Sequence, residues 1–130
     1  MKKLNLLESK EDKEIDKIND TMKRQPFWNS NWYKTNGGTT ISDTEASAFA
    51  QKLDDAMGKT YGWWRADKWG TEEEKIYGII ANLGSKGNIS KVVEAYAIKT
   101  NMRDLYTDME NDLDDEELSK VAQKISMYAS

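Results

Sequence analysis

The sequence predicts an all-α fold in which a five-helix bundle follows a charged helical arm and an aromatic-rich connector. Three observations favour this class. Apolar residues recur every three or four positions, no stretch has the polar–apolar alternation of a strand, and helix-capping sequences precede the apolar runs. Most connections within the bundle are short, so neighbouring helices are expected to pack on one another. The arm and connector are predicted over residues 1–41 and the bundle over residues 42–130.

The arm is predicted to be one amphipathic helix over residues 9–24. Ser9 can cap its first turn, and the acidic residues near its start and the basic residues near its end suit the helix dipole. Its apolar stripe is narrow and consists of Ile15, Ile18 and Met22. Because so polar a helix is not stable alone, we expect the stripe to lie against the chain's own bundle or against a partner chain.

The connector follows Pro26, which ends the arm helix, and it extends to residue 40. It carries two aromatic pairs, Phe27–Trp28 and Trp32–Tyr33. Side chains of this size either pack over the bundle or form an interface, since tryptophan and tyrosine are common where proteins meet. In the second interpretation, Trp28 and Trp32 contact a partner.

The bundle helices are recognised by their capping sequences and their apolar spacing. Their predicted starts are, in order, Ser42, Thr71, Asn88 or Ser90, Met102 and Asp114. In the same order, the inward-facing residues are Ala46, Phe49, Ala50, Leu53, Ala56 and Met57; Ile76, Tyr77, Ile79, Ile80 and Leu83; Ile89, Val92, Val93, Tyr96 and Ala97; Leu105, Met109 and Leu113; and Leu118, Val121, Ala122, Ile125 and Tyr128. The segment Gly84-Ser85-Lys86-Gly87 is interpreted as a helix-ending turn and not as a phosphate-binding loop.

A second aromatic segment is the long loop predicted over residues 58–70. Trp63, Trp64 and Trp69 lie in it, and they either complete the core or contact a partner. The neighbouring rings of Trp63 and Trp64 also allow a third interpretation, an apolar platform for sugar rings.

Composition excludes several classes of function. The charge of −4, with basic residues scattered along the chain, predicts no nucleic-acid contact. No apolar run reaches 18 residues and the opening residues lack a sustained apolar stretch, so we expect neither a membrane span nor a secretory signal, and we expect a virion or cytoplasmic location. Cysteine and histidine are both absent, which removes thiolate and imidazole ligands and the usual proton shuttle. We therefore expect a protein that is not an enzyme.

The bundle helices carry short motifs in a characteristic order. They are Ala50, Leu53, Ala56, Met57 and Gly58 in the first helix, Gly70-Thr71-Glu72-Glu73 at the second, Tyr96 in the third, and Arg103-Asp104-Leu105 at the fourth. Their order, together with the openings of the five helices, resembles a single annexin repeat over about residues 42–128, of the kind found in bacterial and bacteriophage proteins. Nothing before residue 42 shares the resemblance.

The resemblance implies a calcium site. In annexins, backbone carbonyls of the loop between the first two helices and a carboxylate from the loop between the fourth and fifth bind the ion. Here that pattern implies Gly70 and Thr71 as carbonyl ligands and Asp112 as the carboxylate, an all-oxygen set that suits calcium. The alternative is that Gly70 and Thr71 only open a helix and that acidic residues 112–115 cap the next one. No other cofactor is expected.

Three functions follow from these patterns. The first is a non-enzymatic structural or protein-interaction module of a larger assembly with protein partners, most concretely a bacteriophage virion component such as a connector, ring or internal head protein. The second is calcium-dependent binding to a membrane surface, in the manner of annexins. The third is glycan binding.

Overall fold

The computed structural model describes residues 10–57 and 73–128. Within these ranges the chain forms seven α-helices and one 3₁₀ turn, and contains no strand. The predicted all-α class is therefore confirmed. The elements are α1 (Lys10–Lys23), the 3₁₀ turn (Pro26–Trp28), α2 (Trp32–Thr35), α3 (Asp43–Met57), α4 (Glu73–Leu83), α5 (Lys86–Lys99), α6 (Leu105–Asp112) and α7 (Asp115–Ser126).

Helix α5 lies at the centre of the bundle. It contacts α2, the 3₁₀ turn, α3, α4 and α6, while α7 packs against α1, α4 and α6. Nearly all the residues predicted to face inward are buried; Phe49, Ala97 and Tyr128 are partly exposed. Full burial of a large apolar side chain stabilises a fold by about 1.5–3 kcal/mol, so this shared core is the main force that holds the helices together.

The connector belongs to the same core as the helices. Phe27 and Trp28 are buried, and the ring of Trp28 lies 4.9 Å from that of Tyr106 on α6, measured between centroids. Trp32 is partly buried, with its ring centroid 6.3 Å from that of Phe27. The boundary predicted between residues 41 and 42 thus does not separate two cores.

Helix α5 begins earlier than predicted. We expected its start at Asn88 or Ser90, but Ser85 is the N-cap, and its side chain accepts a hydrogen bond from the Asn88 backbone N–H. Gly84 adopts a left-handed φ of 75° directly after α4, a conformation that glycine takes without steric cost. One short segment therefore both ends α4 and starts α5.

Helix α6 begins later than predicted, because Met102 belongs to the end of α5. Asn101 and Met102 have left-handed φ angles of 62° and 75°, and the Met102 N–H donates to the Ala97 carbonyl at 2.7 Å. This is the bond that closes a Schellman motif, which stops a helix. Asp104 then caps α6 by accepting from the Thr107 N–H at 2.9 Å.

Helix α7 starts as its acidic sequence predicts. Asp114 is the N-cap, and it exchanges hydrogen bonds with Glu117 in a complete capping box.

None of the helices in the described ranges is both long enough and apolar enough to cross a membrane.

Candidate functional site

The polar face of α5 holds the connector against the bundle. The buried Asn88 side chain donates to the Leu83 carbonyl and to the Thr40 hydroxyl, at 2.6 Å and 2.8 Å, and accepts from the Thr40 N–H at 2.8 Å. Beside it, the backbones of Gly87 and Gly38 are so close that a Cβ on Gly87 would lie 2.1 Å from the Gly38 carbonyl oxygen. The connector therefore rests directly on the α5 backbone.

A second pair of hydrogen bonds fixes the connector one turn further along α5. The buried Ser90 hydroxyl donates to the Asn29 carbonyl at 2.7 Å and accepts from the Tyr33 N–H at 3.0 Å. The Tyr33 N–H lies in the first turn of α2, where a helix leaves its N–H groups without an intrahelical partner. The Asn29 carbonyl also accepts from the Trp32 N–H at 3.1 Å. This arrangement sets the position of the Tyr33 side chain.

Lys91 lies one residue beyond Ser90, and its side chain is only 13% exposed. Its ammonium group donates to the Ile41 carbonyl at 3.1 Å and pairs with the Asp43 carboxylate at 2.9 Å. It also lies 5.9 Å from the centre of the Tyr33 ring. The carbonyl, the carboxylate and the ring take the place of part of the water around this ammonium group.

Tyr33 and Lys34 both bind Glu94. The Tyr33 hydroxyl donates to one carboxylate oxygen at 2.7 Å, and the Lys34 ammonium lies 3.1 Å from the other. The hydrogen bond from Tyr33, followed by that from Lys34, lowers the pKa of Glu94 below its usual value. The same bond and partial burial raise the pKa of Tyr33 to about 12.

These groups surround a cleft of about 360 Å³ between α2, α3 and α5. Its lining consists of Tyr33, Asp43, Ala46, Ser47, Lys91, Glu94, Ala95, Ile98 and Lys99. Ile98 at the edge is 75% exposed, and Met102, just beyond the end of α5, is 80% exposed. Lys99 takes part in no ion pair within the described residues. The cleft thus combines small residues, paired charges and an exposed apolar edge.

Three ionisable groups of the cleft, Asp43, Glu94 and Tyr33, have shifted pKa values. The bond to Lys91 lowers the pKa of Asp43, and the pKa of Glu94 is lowered as well, while that of Tyr33 is raised. Each shift moves the pKa away from neutrality, whereas a general acid or base needs a pKa near the working pH. The arrangement therefore suits binding better than proton transfer.

Replacing Tyr33 with phenylalanine is expected to lower stability by about 1 kcal/mol at pH 7, because a bond to a charged carboxylate is lost. The lowered pKa of Glu94 contributes stability above the unfolded-state pKa, and this contribution is lost as the pH falls through the folded-state pKa. The difference between variant and wild type should therefore shrink toward pH 3, as measured by urea unfolding at several pH values.

The matched control is Tyr106→Phe. The Tyr106 hydroxyl is buried without a hydrogen-bond partner, so its removal should leave stability equal or slightly higher, with no dependence on acidic pH. Equal losses in both variants at every pH would show that the bond between Tyr33 and Glu94 contributes nothing specific.

A second polar cluster joins α5 to α6 away from the cleft. The buried Asp108 carboxylate accepts from the Tyr96 hydroxyl at 2.5 Å and from two guanidinium nitrogens of Arg103 at 2.8 Å each. Tyr96 is fully buried and the Arg103 side chain is 43% exposed. The three side chains are hydrogen-bonded to one another, which indicates that this cluster has a structural role and holds the two helices together.

The described residues that were predicted to contact a partner do not line the cleft. On α1, Ile15 is half-buried, Ile18 is 37% exposed and Met22 packs against the core. Trp28 is buried and Trp32 partly buried, so both pack within the chain's own bundle, which was the alternative interpretation. Trp63, Trp64 and Trp69 lie outside the described residues.

Of the predicted calcium ligands, Gly70 and Thr71 also lie outside the described residues. Asp112 is half-buried in the last turn of α6. Across residues 10–57 and 73–128, no group of three or more acidic side chains is placed to hold a metal ion. Asp114 caps α7, as the alternative interpretation has it for this residue.

Sequence reasoning did not find the polar face of α5. The sequence predicts Gly87 as part of a helix-ending turn and Asn88 or Ser90 as a helix start, because asparagine and serine favour such starts. The available signal was their spacing with Lys91 and Glu94, which places polar groups on one side of an otherwise apolar helix.

The chain was compared with protein-family models, with curated proteins and with solved structures, and none of them matches it. We therefore infer a function from the geometry of the cleft and of the elements around it.

Proposed function

We propose that this chain is a non-enzymatic protein-interaction module of a larger assembly. The observation that carries the proposal is the cleft between α2, α3 and α5, with Ile98 exposed at its edge and Met102 exposed just beyond the end of α5. Exposed apolar side chains beside a concave surface are typical of protein contacts. The paired charges of the cleft would fix the orientation of a bound partner. The lowered pKa values of Asp43 and Glu94 make these groups poorly suited to proton transfer at neutral pH.

The more specific proposal is a bacteriophage virion component, such as a connector, ring or internal head protein. It is supported by the resemblance of the five bundle helices to annexin-like repeats of bacterial and bacteriophage proteins. In such an assembly, the cleft would receive a side chain or short segment of a neighbouring subunit, and Ile98 would lie near the centre of the contact.

The test is the double variant Ile98→Lys with Met102→Lys. We expect recovery of the protein in large particles, sedimented from its natural source, to fall about tenfold, because two charges would have to be buried at the contact. Folding should be unaffected, since both side chains are largely exposed. Lysine at position 102 meets the same backbone conformation as methionine, so this change adds no strain.

Met127→Lys is the matched control, because Met127 is equally exposed at 78% but lies beyond α7. Its recovery should equal that of the wild type. Wild-type recovery of the double variant would overturn the proposal. The sedimentation is run in calcium and in chelator, and recovery of the wild-type protein with membranes only in calcium would instead support the annexin mechanism.

A further inference from the structure

The cleft continues along α3 into a second depression of about 450 Å³. The lining of this depression consists of Asp43, Thr44, Ser47, Ala48, Gln51 and Lys99. Three of these residues, Asp43, Ser47 and Lys99, also line the cleft. The cleft and the depression therefore form one groove between α3 and α5, the α3–α5 groove.

Small side chains line the α3–α5 groove, and its edge is apolar. Ala46 on α3 and Ala95 on α5 face each other across the cleft, so a partner can come close to both helices. Ile98 lies at the edge and is 75% exposed. A groove with these features suits a short segment that places an apolar side chain on Ile98.

Two ion pairs neutralise most of the charge at the groove. Lys91 pairs with Asp43 at 2.9 Å, and Lys34 pairs with Glu94 at 3.1 Å. Lys99 is exposed and has no carboxylate within ion-pair distance in residues 10–57 and 73–128. The described groove thus has an uncompensated positive charge, although the chain as a whole has a net charge of −4.

The end of α5 does not need the Lys99 ammonium group. A lysine near the end of a helix can bind the last carbonyls, but here other groups do so. The Tyr96 carbonyl accepts from the Thr100 N–H at 3.0 Å and from the Thr100 hydroxyl at 2.6 Å, and the Ala97 carbonyl accepts from the Met102 N–H. The Lys99 ammonium group is therefore available to a partner.

The depression that contains Lys99 also offers two hydroxyl donors. The side chains of Thr44 and Ser47 line it, and neither hydroxyl is hydrogen-bonded within the described part of the chain. Ammonium and hydroxyl groups both donate, whereas an ionised carboxylate only accepts. A carboxylate therefore matches the groups that this end of the groove leaves unused.

We propose that the partner of the α3–α5 groove is an acidic segment of a neighbouring protein subunit. A carboxylate of the segment pairs with Lys99, and an apolar side chain beside it packs on Ile98. Charge complementarity of this kind selects the partner and fixes its orientation more than it adds affinity. This inference rests on the proposed function, because it specifies the partner of the same cleft.

The test is a series of substitutions at Lys99, with recovery in large particles sedimented from the natural source as the measurement. Recovery should be unchanged in Lys99→Arg, and it should fall about threefold in Lys99→Gln and about tenfold in Lys99→Glu. Raising the salt concentration should bring the wild type and Lys99→Gln closer together, because salt screens exposed charges. Each variant should unfold at the wild-type temperature, since position 99 is exposed.

Lys17→Glu is the matched control, because it makes the same change of charge at an exposed position on α1, outside the groove. Its recovery should equal that of the wild type. The inference is overturned if recovery is the same across the Lys99 series, if it rises in Lys99→Glu, or if Lys17→Glu lowers it equally. If the Lys99 series is flat while Ile98→Lys with Met102→Lys lowers recovery, the acidic partner is wrong and the proposed function stands. If neither lowers recovery, both are wrong.

Discussion

Replacing Gly87 with alanine is expected to destabilise the fold by about 3 kcal/mol, at the upper end for an overpacked site. The added Cβ would lie 2.1 Å from the Gly38 carbonyl oxygen and 3.2 Å from its carbon. Both atoms belong to backbone, so no side-chain rotation can relieve the clash. Because natural domains are stable by only about 5–15 kcal/mol, a loss of this size should be clear in urea or thermal unfolding.

Gly78→Ala is the matched control, since Gly78 lies inside α4 with no atom within 4 Å of the added Cβ. Alanine is the better helix former there and should stabilise the protein by about 0.5–1 kcal/mol. The two glycine-to-alanine changes should thus have opposite signs. If both stabilise the protein, the close contact between α5 and the connector does not exist in solution.

The Gly87 variant should also affect the cleft. The connector places Tyr33, whose N–H binds Ser90 and whose hydroxyl binds Glu94. If the connector moves away from α5, the amide of Thr40, which binds the Asn88 side chain, should exchange its hydrogen faster. Faster exchange confined to the connector would show that the clash loosens this segment before the bundle unfolds.

Most of the helical framework could be predicted from the sequence because the signals are local. The capping box of Asp114 and Glu117 lies within four residues, and the apolar face of α4 repeats with the helical period. Burial of Leu105 and Met109 follows from the same periodicity. Such patterns need no knowledge of distant residues, which is why they correctly gave the class and order of the helices.

The cleft could not be predicted, because its parts meet through contacts between distant residues. Asn88 binds a residue 48 positions away, and Ser90 binds one 61 positions away. Sequence pattern shows only that these residues are small and polar, which is equally true of residues that cap a helix. The same holds for the apolar stripe on α1, because its sequence does not show which surface packs against it.

Replacing Asp108 with asparagine is expected to destabilise the protein by about 2–3 kcal/mol. Both carboxylate oxygens of Asp108 accept hydrogen bonds, one from Tyr96 and Arg103 and the other from Arg103. An amide has one acceptor oxygen, so its NH₂ group would face a donor at a buried position. Removal of one partner of a buried pair costs about 3–5 kcal/mol, and the 43% exposure of Arg103 reduces this figure through solvent screening.

The control is the same substitution, aspartate to asparagine, at the exposed position Asp104. Asp104 caps α6 at an exposed site, and asparagine caps a helix as well as aspartate does, so Asp104→Asn should alter stability by less than about 0.5 kcal/mol. Guanidinium chloride unfolding of the two variants gives the comparison. If Asp104→Asn lowers the free energy of unfolding as much as Asp108→Asn does, the loss of stability comes from the capping of α6. A loss at position 108 alone would show that α5 and α6 are joined through the carboxylate shared by Tyr96 and Arg103.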